Sequence, residues 1–300
     1  MRGALFMVIA MAGFTINDAI SKQVTEGMNV GQLMLVRGAF ASVLVAALAW
    51  SQGAFRELRQ LMNPLVAARA FCELTATVLF LFALTHMPLA NVSAVLQALP
   101  LAVTMGAALF LGEAVGWRRW IAIAVGFSGV MIVVRPGFEG FNAFSLLTLC
   151  SVAFAAGRDL VTSRIPDTVP TALVSAVTAV IVTIAGGALV VPLGGWTPMS
   201  AGQTLEIGAA AVLLLFGYQF IIMAMRGGDI SFVAPFRYTS LLWAILLGYM
   251  IFGQVPDLPM MIGATVVIAS GLYTLYRERR VSRTKPAAES TGPGMAPDGM

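Results

Sequence analysis

The feature that most constrains this chain is a succession of apolar segments, separated by short polar or Pro/Gly-rich turns. A helix needs about 20 mostly apolar residues to cross the hydrocarbon core of a bilayer, and each segment is close to that length. Of the 300 residues, 59% are hydrophobic and only 11% are charged, whereas soluble domains carry about 25% charged residues. The sequence therefore predicts an all-α integral membrane protein.

A window of that length finds ten candidate spans, five in each half of the chain. In chain order we expect them at Gly3–Ser21, Val30–Trp50, Leu65–His86, Leu89–Leu111, Trp117–Val134, Phe144–Ser163, Thr171–Val191, Gln203–Met225, Ile230–Phe252 and Leu258–Tyr276.

The two halves echo each other at a fixed offset of 141 residues. This offset aligns Asp18 with Asp159, and the dipeptide Gly112-Glu113 with Gly253-Gln254. An odd number of spans per copy reverses the direction of the second copy, which predicts an inverted-topology repeat of the kind that many secondary transporters use. The expected divisions are a first five-helix repeat at 1–137, a second, inverted one at 138–278, and a disordered cytoplasmic tail at 279–300.

The distribution of basic residues predicts the orientation, because cytoplasmic loops are enriched in Lys and Arg. With both termini in the cytoplasm, only Lys22 and Arg135 lie outside, against twelve basic residues inside. The net charge of +4 thus comes largely from span ends and the tail, without the basic face that nucleic-acid binding requires. The twelve are Arg2, Arg56, Arg59, Arg118, Arg119, Arg164, Arg226, Arg277, Arg279, Arg280, Arg283 and Lys285.

Ionisable side chains inside spans cost several kcal/mol unless they are paired or hydrated. Asp18 in span 1 and Arg37 in span 2 lie at overlapping depths near the predicted outer face. Asp159 and Arg158 in span 6, with Arg237 in span 9, lie near the inner face. These groups could act as gates or coupling sites, or they could be structural clamps between helices, and spacing does not separate the two alternatives.

Span 3 carries Arg69, Glu73 and Thr77 on one helix face. We favour a structural ion pair between Arg69 and Glu73, with Arg69 extending toward the cytoplasmic interface. A protonated Glu73 is the alternative, because desolvation disfavours a carboxylate. Together with Asp18 and Asp159, Glu73 motivates a hypothesis of proton coupling.

A polar stripe follows span 4, and further polar and aromatic residues occur in spans 8 and 9. Proline in mid-span frees a backbone carbonyl, which is tolerated where the helix lines a cavity or is packed in protein. We expect these residues to line a cavity for a small, partly aromatic solute; the alternative is that they bridge packed helices. The candidates are Ser93, Gln97, Pro100, Thr104, Tyr218, Gln219, Tyr238, Ser240 and Trp243.

Enzymatic machinery is missing from the sequence. His86 is the only histidine, which excludes metal sites built from several histidines, and we interpret Cys72 and Cys150 as small apolar residues. The chain has neither a phosphate-binding P-loop nor a GxSxG motif. We therefore expect no enzyme activity, no metal and no cofactor, and an ion or solute gradient as the source of energy.

One run of residues in spans 4 and 5 resembles a known family. It comprises Pro88–Ala94, Leu99-Pro100, Leu111–Glu113, Gly116–Trp120, Gly126–Val130 and Arg135–Gly137. These residues resemble the EamA-type branch of the drug/metabolite transporter superfamily, which has ten spans in two five-helix repeats. The resemblance implies transport of a small organic solute by alternating access, in the bacterial inner membrane.

Three further segments narrow the resemblance. Asn17-Asp18, Met28–Gln32 and Arg37–Phe40 look most like the bacterial riboflavin importers of this family. The leading hypothesis is thus a carrier that imports riboflavin, and the alternatives are an exporter of amino acids or other metabolites, a solute channel, or an integral-membrane enzyme. The expected partners are the solute and the lipid bilayer, and a homodimer remains open.

Overall fold

The structure is a computed structural model that describes residues 2–51, 63–113, 115–136, 142–166, 169–226 and 233–281. Within these ranges it contains helices and no strand. The helices are α1 (Arg2–Val24), α2 (Val30–Ser51), α3 (Pro64–His86), α4 (Leu89–Leu96), α5 (Leu99–Phe110), α6 (Trp117–Val134), α7 (Phe144–Thr162), α8 (Thr171–Val190), α9 (Ala201–Arg226), a 3₁₀ helix (Ala234–Tyr238), α10 (Thr239–Phe252) and α11 (Leu258–Val281).

The prediction of ten spans is confirmed for the described residues, which contain ten helical segments long and apolar enough to cross a membrane. Helices α4 and α5 together make the fourth span, and the 3₁₀ helix and α10 make the ninth. The predicted bounds lie within a few residues of those observed. The tail that we predicted to be disordered lies outside the described residues from residue 282 onward.

The tightest helix pairs each join one half of the chain to the other. They are α1 with α9, α2 with α8, α3 with α7 and α6 with α11, and α4 packs against α10. Exchanging every span for its counterpart five spans later leaves this set of pairs unchanged. Such a pattern is expected of two copies related by a pseudo-twofold axis.

Helices α2 and α8 are counterparts in the two halves, and they run antiparallel. The start of α2 at Gly31 lies against Leu189 at the end of α8, and the hydroxyls of Ser42 and Thr183, which are 141 residues apart, lie within 3.2 Å of each other. Antiparallel contact between counterparts is what an inverted repeat requires. It supports that prediction, while the cytoplasmic location of both termini stays a prediction.

The echoed glycines have the same backbone conformation. Gly112, just after α5, has φ 71°, and Gly253, just after α10, has φ 62°. Glycine adopts this left-handed conformation without the steric cost that a Cβ adds, which is why it commonly ends helices. The fourth and ninth spans therefore end with the same backbone conformation, as the predicted repeat would require.

The two basic residues on the predicted outer face both have local partners. The Lys22 ammonium donates to the carbonyls of Leu84 and Met87 at 2.6 Å each, where α3 ends. Arg135 forms an ion pair with Asp257. A cation at a helix C-terminus is stabilised by the exposed carbonyls, so Lys22 has a structural reason to be an exception to the charge rule.

Candidate functional site

The fourth and ninth spans are both interrupted, and at equivalent positions. The fourth breaks at Gln97-Ala98 between α4 and α5, and the ninth changes from 3₁₀ to α-helix after Tyr238, which is 141 residues beyond Gln97. Pro100 has no N–H to donate to the carbonyl of Leu96, four residues earlier. Interrupted helices of this kind form the binding sites of many secondary transporters.

A hydrogen bond joins the two interrupted spans at this level. The Gln97 side-chain amide donates to the Ser240 hydroxyl at 2.7 Å, and the Ser240 carbonyl lies 3.5 Å from the Thr15 hydroxyl on α1. Three elements of the bundle therefore meet at the breaks. Sequence reasoning placed Gln97 and Ser240 in one site, and the structure brings them together.

The remaining residues of the fourth-span stripe, Thr104 and Ser93, lie on either side of Gln97. The Thr104 hydroxyl donates to the Pro100 carbonyl at 2.9 Å within α5, and Thr104 is buried. Ser93 lies half-buried one turn before Gln97. These two residues fit either alternative of the prediction, a cavity lining or an interhelical bridge.

An aromatic cluster lies beside the Gln97–Ser240 bond. Its core consists of residues of α1 and α9 and of Val233, just before the 3₁₀ helix. Tyr218 and Trp243, both predicted, pack against this core together with Phe220 and Phe236. The rings of Phe14 and Tyr218 meet edge to face, with centroids 5.2 Å apart. Sequence reasoning missed the phenylalanines, because an aromatic residue in an apolar span carries no contrast; the one available signal was that Phe14 lies one turn before Asp18.

Two predicted cavity residues lie elsewhere. Tyr238 packs against α11, where a Cβ on Gly271 would lie 1.8 Å from its hydroxyl oxygen, and that hydroxyl has no hydrogen-bond partner among the described residues. Gln219 lies on the exposed face of α9 together with Phe216, which is 57% exposed, and Met223. Gln219 therefore does not join the aromatic cluster.

The first group of ionisable side chains is the α1–α2 cluster, made of Asn17, Asp18, Ser21 and Arg37. Arg37 donates to the Ser21 hydroxyl at 3.1 Å and to the Asn17 side-chain oxygen at 3.5 Å. The Asn17 amide in turn donates to the Asp18 carboxylate at 3.0 Å. The proposed partners Asp18 and Arg37 thus interact through space and through Asn17, without a direct ion pair.

The second group is the α3–α7 cluster, made of Glu73, Arg158 and Asp159. Arg158 contacts the Asp159 carboxylate at 2.7 Å and the Glu73 carboxylate at 2.9 Å. The Asp159 side chain is only 1% exposed. Arg237, predicted to reach this level, lies close enough to interact electrostatically with Asp159.

The predicted ion pair between Arg69 and Glu73 is wrong. Glu73 pairs with Arg158 on the neighbouring helix α7, and Arg69 donates to the Thr178 hydroxyl on α8 at 2.8 Å. Arg69 is only 2% exposed, so its guanidinium does not extend to the interface either. Packing of α3 between α7 and α8 offers both side chains partners that spacing along one helix does not reveal.

Tyr218 lies between the two clusters. It interacts electrostatically with Arg37 of the first cluster, with Glu73 and Arg158 of the second, and with Arg69. Together with Arg69 and Arg237, the two clusters contain four arginines and three carboxylates, so their formal charge is 4 − 3 = +1 when every group is ionised. Tyr218 thus connects the aromatic cluster to both charged clusters.

Comparison with known proteins agrees with this architecture. The model of the EamA-like transporter family matches residues 1–135. A riboflavin transporter of Vibrio cholerae is 30% identical over 294 residues, which cover 94% of this chain and 96% of that protein. An S-adenosylmethionine uptake transporter of Rickettsia conorii is 25% identical, with coverage of 94% and 95%.

Two further comparisons concern the direction of transport and the fold. A pseudopaline exporter of Pseudomonas aeruginosa is 25% identical over 289 residues and spans 94% of this chain and 96% of its own length. A solved crystal structure superposes with a TM-score of 0.63 at 18% identity, covering 93% of this chain and 99% of that one. At that level of identity the crystal structure shows a shared fold and nothing finer.

Proposed function

Because this chain belongs to the EamA-like transporter family, we propose that it is a secondary carrier that imports riboflavin across the bacterial inner membrane. The chain is a multi-pass membrane protein, and its named relatives are transporters and not enzymes. The proposed site lies where the interrupted fourth and ninth spans meet α1 and α9. Transport follows alternating access, in which the two halves of the repeat open the site to either face in turn.

The observation that carries the substrate proposal is the aromatic cluster beside the Gln97–Ser240 bond. The isoalloxazine ring of riboflavin is flat, with an apolar dimethylbenzene edge and a polar edge of carbonyl and imide groups. Tyr218 and Trp243 offer aromatic faces to the first, and Gln97 and Ser240 offer donors and acceptors to the second. Few polar groups in a mostly aromatic site are typical of small-molecule recognition.

A second candidate substrate is S-adenosylmethionine, which the Rickettsia relatives are named for. It also has an aromatic base, but its sulfonium gives it a net positive charge. Riboflavin is preferred as the first candidate because the riboflavin transporter of Vibrio cholerae is 30% identical to this chain, against 25% for the S-adenosylmethionine transporter of Rickettsia conorii.

The two charged clusters are proposed as gates. Asp18 and Asp159 are counterparts at opposite faces of the predicted topology, so one gate would close the outer side of the site and the other the inner side. Coupling to protons remains part of this proposal, through Asp18, Glu73 and Asp159.

The test is uptake by the full-length protein in a riboflavin auxotroph that has no riboflavin importer, and in proteoliposomes. We expect growth rescue at low riboflavin, saturable uptake, and counterflow of labelled riboflavin against an internal pool. Trp243→Ala should reduce uptake about tenfold, because an aromatic contact is worth about 1 kcal/mol beyond the area that it buries. Trp196→Ala, in the loop after α8, is the matched control and should stay within twofold.

Three results would overturn the riboflavin proposal. The first is absence of rescue with the protein present in the membrane. The second is counterflow by S-adenosylmethionine or an amino acid but not by riboflavin. The third is flux that never saturates, which would indicate a channel in place of a carrier.

A further inference from the structure

Arg69, in α3, is a buried arginine whose hydrogen-bond donors the protein leaves largely unused. The residue is only 2% exposed. Among the described residues its Nη1 donates to the Thr178 hydroxyl at 2.8 Å, and its Nε has no partner. A guanidinium has five N–H donors and stays protonated in proteins. Arg69 therefore carries its charge in the interior on a single hydrogen bond to a neutral group of the described chain.

This environment contrasts with that of the neighbouring Arg158. Arg158 contacts the carboxylates of Asp159 and Glu73 at 2.7 and 2.9 Å, which is how a buried charge is normally stabilised. The Thr178 hydroxyl supplies no charge, and it donates its own proton to a carbonyl of α8. An ionisable group that is kept inside a membrane protein with so few partners is a candidate for binding the solute.

Arg69 lies close to the aromatic cluster. It interacts electrostatically with Tyr218 on α9, and Tyr218 packs against the core of that cluster, with its ring edge to face with Phe14. Glu73 lies one turn after Arg69 on the same helix, but its carboxylate pairs with Arg158. Sequence reasoning paired Arg69 with Glu73 and so missed it as a residue of the solute site.

The donors that remain on Arg69 define the chemistry of a ligand. Because Nη1 binds Thr178, the edge formed by Nε and Nη2 is left, and its two N–H groups point in parallel. Such an edge binds two acceptor atoms attached to one carbon, as in a carboxylate. In the isoalloxazine ring of riboflavin, N1 and the C2 carbonyl oxygen are both attached to C2 and form a pair of this kind.

We propose that Arg69 is a specificity-determining residue that binds N1 and the C2 carbonyl of the isoalloxazine ring through Nε and Nη2. This assignment rests on the proposed function and divides the polar edge of the ring between two groups of donors. Arg69 takes N1 and the C2 carbonyl, which leaves N3 and the C4 carbonyl to Gln97 and Ser240. Tyr218 offers its aromatic face to the apolar part of the ring.

Thermal unfolding in nanodiscs separates binding of the solute from a purely structural role. Arg69→Gln keeps a donor for Thr178 but loses the charge and the paired donors, so without solute it should melt within a few degrees of the wild type. Saturating riboflavin should raise the melting temperature of the wild type and raise that of Arg69→Gln by less than half as much. Arg164→Gln, which removes an exposed arginine, is the matched control and should respond like the wild type.

Two analogues of riboflavin test the contact itself, as competitors of labelled riboflavin in counterflow. In 2-thioriboflavin a sulfur, which is a weaker acceptor, replaces the C2 oxygen, and it should compete about tenfold less well than riboflavin with the wild type. Arg69→Gln should bind riboflavin about tenfold more weakly and 2-thioriboflavin equally well, within about twofold. The matched analogue 4-thioriboflavin should lose the same factor with both proteins. Arg69→Lys keeps the charge without the paired donors, so its affinity for riboflavin should be intermediate.

The outcomes distinguish this contact from the proposed function. Absence of saturable riboflavin counterflow by the wild type would overturn the proposed function, and the flavin contact with it. Normal counterflow by the wild type, with an unchanged riboflavin affinity or an unchanged loss for 2-thioriboflavin in Arg69→Gln, would overturn the contact alone. If S-adenosylmethionine competes better than riboflavin, and this advantage disappears in Arg69→Gln, the partner of Arg69 is a carboxylate and the flavin contact is wrong.

Discussion

The α1–α2 and α3–α7 clusters contain acids at equivalent positions of the repeat, yet they hold these acids in different ways. Asp159 is in direct contact with Arg158 at 2.7 Å. Asp18 is bound by the neutral amide of Asn17 at 3.0 Å, and Arg37 reaches that amide at 3.5 Å. Asp159 is thus held by a direct ion pair, and Asp18 by two successive hydrogen bonds through Asn17.

The difference follows from which residue of each pair of counterparts is the arginine. Arg158 is the counterpart of Asn17, and Thr178 is the counterpart of Arg37. In the second half the cation therefore lies directly before the acid on the same helix, and Glu73 joins it from α3. In the first half the cation lies on the neighbouring helix. We infer that the α3–α7 cluster costs more to separate than the α1–α2 cluster, so the two proposed gates are unequal.

Removal of the arginines should have the largest effect. Arg158→Gln leaves the buried Asp159 and the partly buried Glu73 without this cation, and breaking a buried ion pair in this way costs about 3–5 kcal/mol. Arg37→Gln retains a side chain that can donate to Ser21 and leaves one acid that Asn17 still binds, so we expect at most about half that loss. Reversible unfolding in mixed detergent micelles gives the free energy of unfolding of both variants.

Arg158→Lys separates the effect of the charge from that of the guanidinium geometry. It keeps the positive charge but cannot make two contacts in the fixed geometry of a guanidinium, so its free energy of unfolding should lie between those of the wild type and Arg158→Gln. Equal losses for Arg37→Gln and Arg158→Gln would contradict the inequality of the clusters.

The ten spans were predictable from sequence, because a span must be a continuous apolar run of about 20 residues. The interruption at Gln97 was also readable, since Pro100 removes a helix donor. Its counterpart at Tyr238 was less so, because Pro235 lies on the other side of that break. Local chemistry along one helix determined each of these features.

The partners of the arginines were not predictable, because they depend on which helices pack together. Spacing along α3 favoured an ion pair between Arg69 and Glu73. Because α3 packs against α7 and α8, Glu73 instead pairs with Arg158, and Arg69 donates to Thr178. The same holds for Phe14, whose ring on α1 meets that of Tyr218 on α9 although the two helices are far apart in the chain. Periodicity identifies a face of a helix but not the helix that covers it.

Neutralising Asp18 or Asp159 should lower the stability of the protein by less than removing the arginines does. Asp159→Asn loses a charged contact and should destabilise the protein by about 1–3 kcal/mol, whereas Asp18→Asn keeps its acceptor for Asn17 and should change stability by less than about 1 kcal/mol. If Asp18 takes part in proton coupling, its variant should instead flatten the dependence of riboflavin uptake on pH. A normal pH profile for both Asp18→Asn and Glu73→Gln would make these carboxylates structural.

The smallest expected effect comes from the hydroxyls that bind an arginine in each region. Ser21→Ala removes the hydroxyl that accepts a hydrogen bond from Arg37 at 3.1 Å. Thr178→Val removes the hydroxyl that accepts a hydrogen bond from Arg69 at 2.8 Å. Hydrogen bonds between membrane helices are worth about 0.6 kcal/mol on average, so both variants should lose about that much in mixed-micelle unfolding. Because Arg69 is almost fully buried, Thr178→Val should be the more costly of the two. The opposite order would mean that the α1–α2 cluster, in spite of its longer contacts, is the more firmly held region.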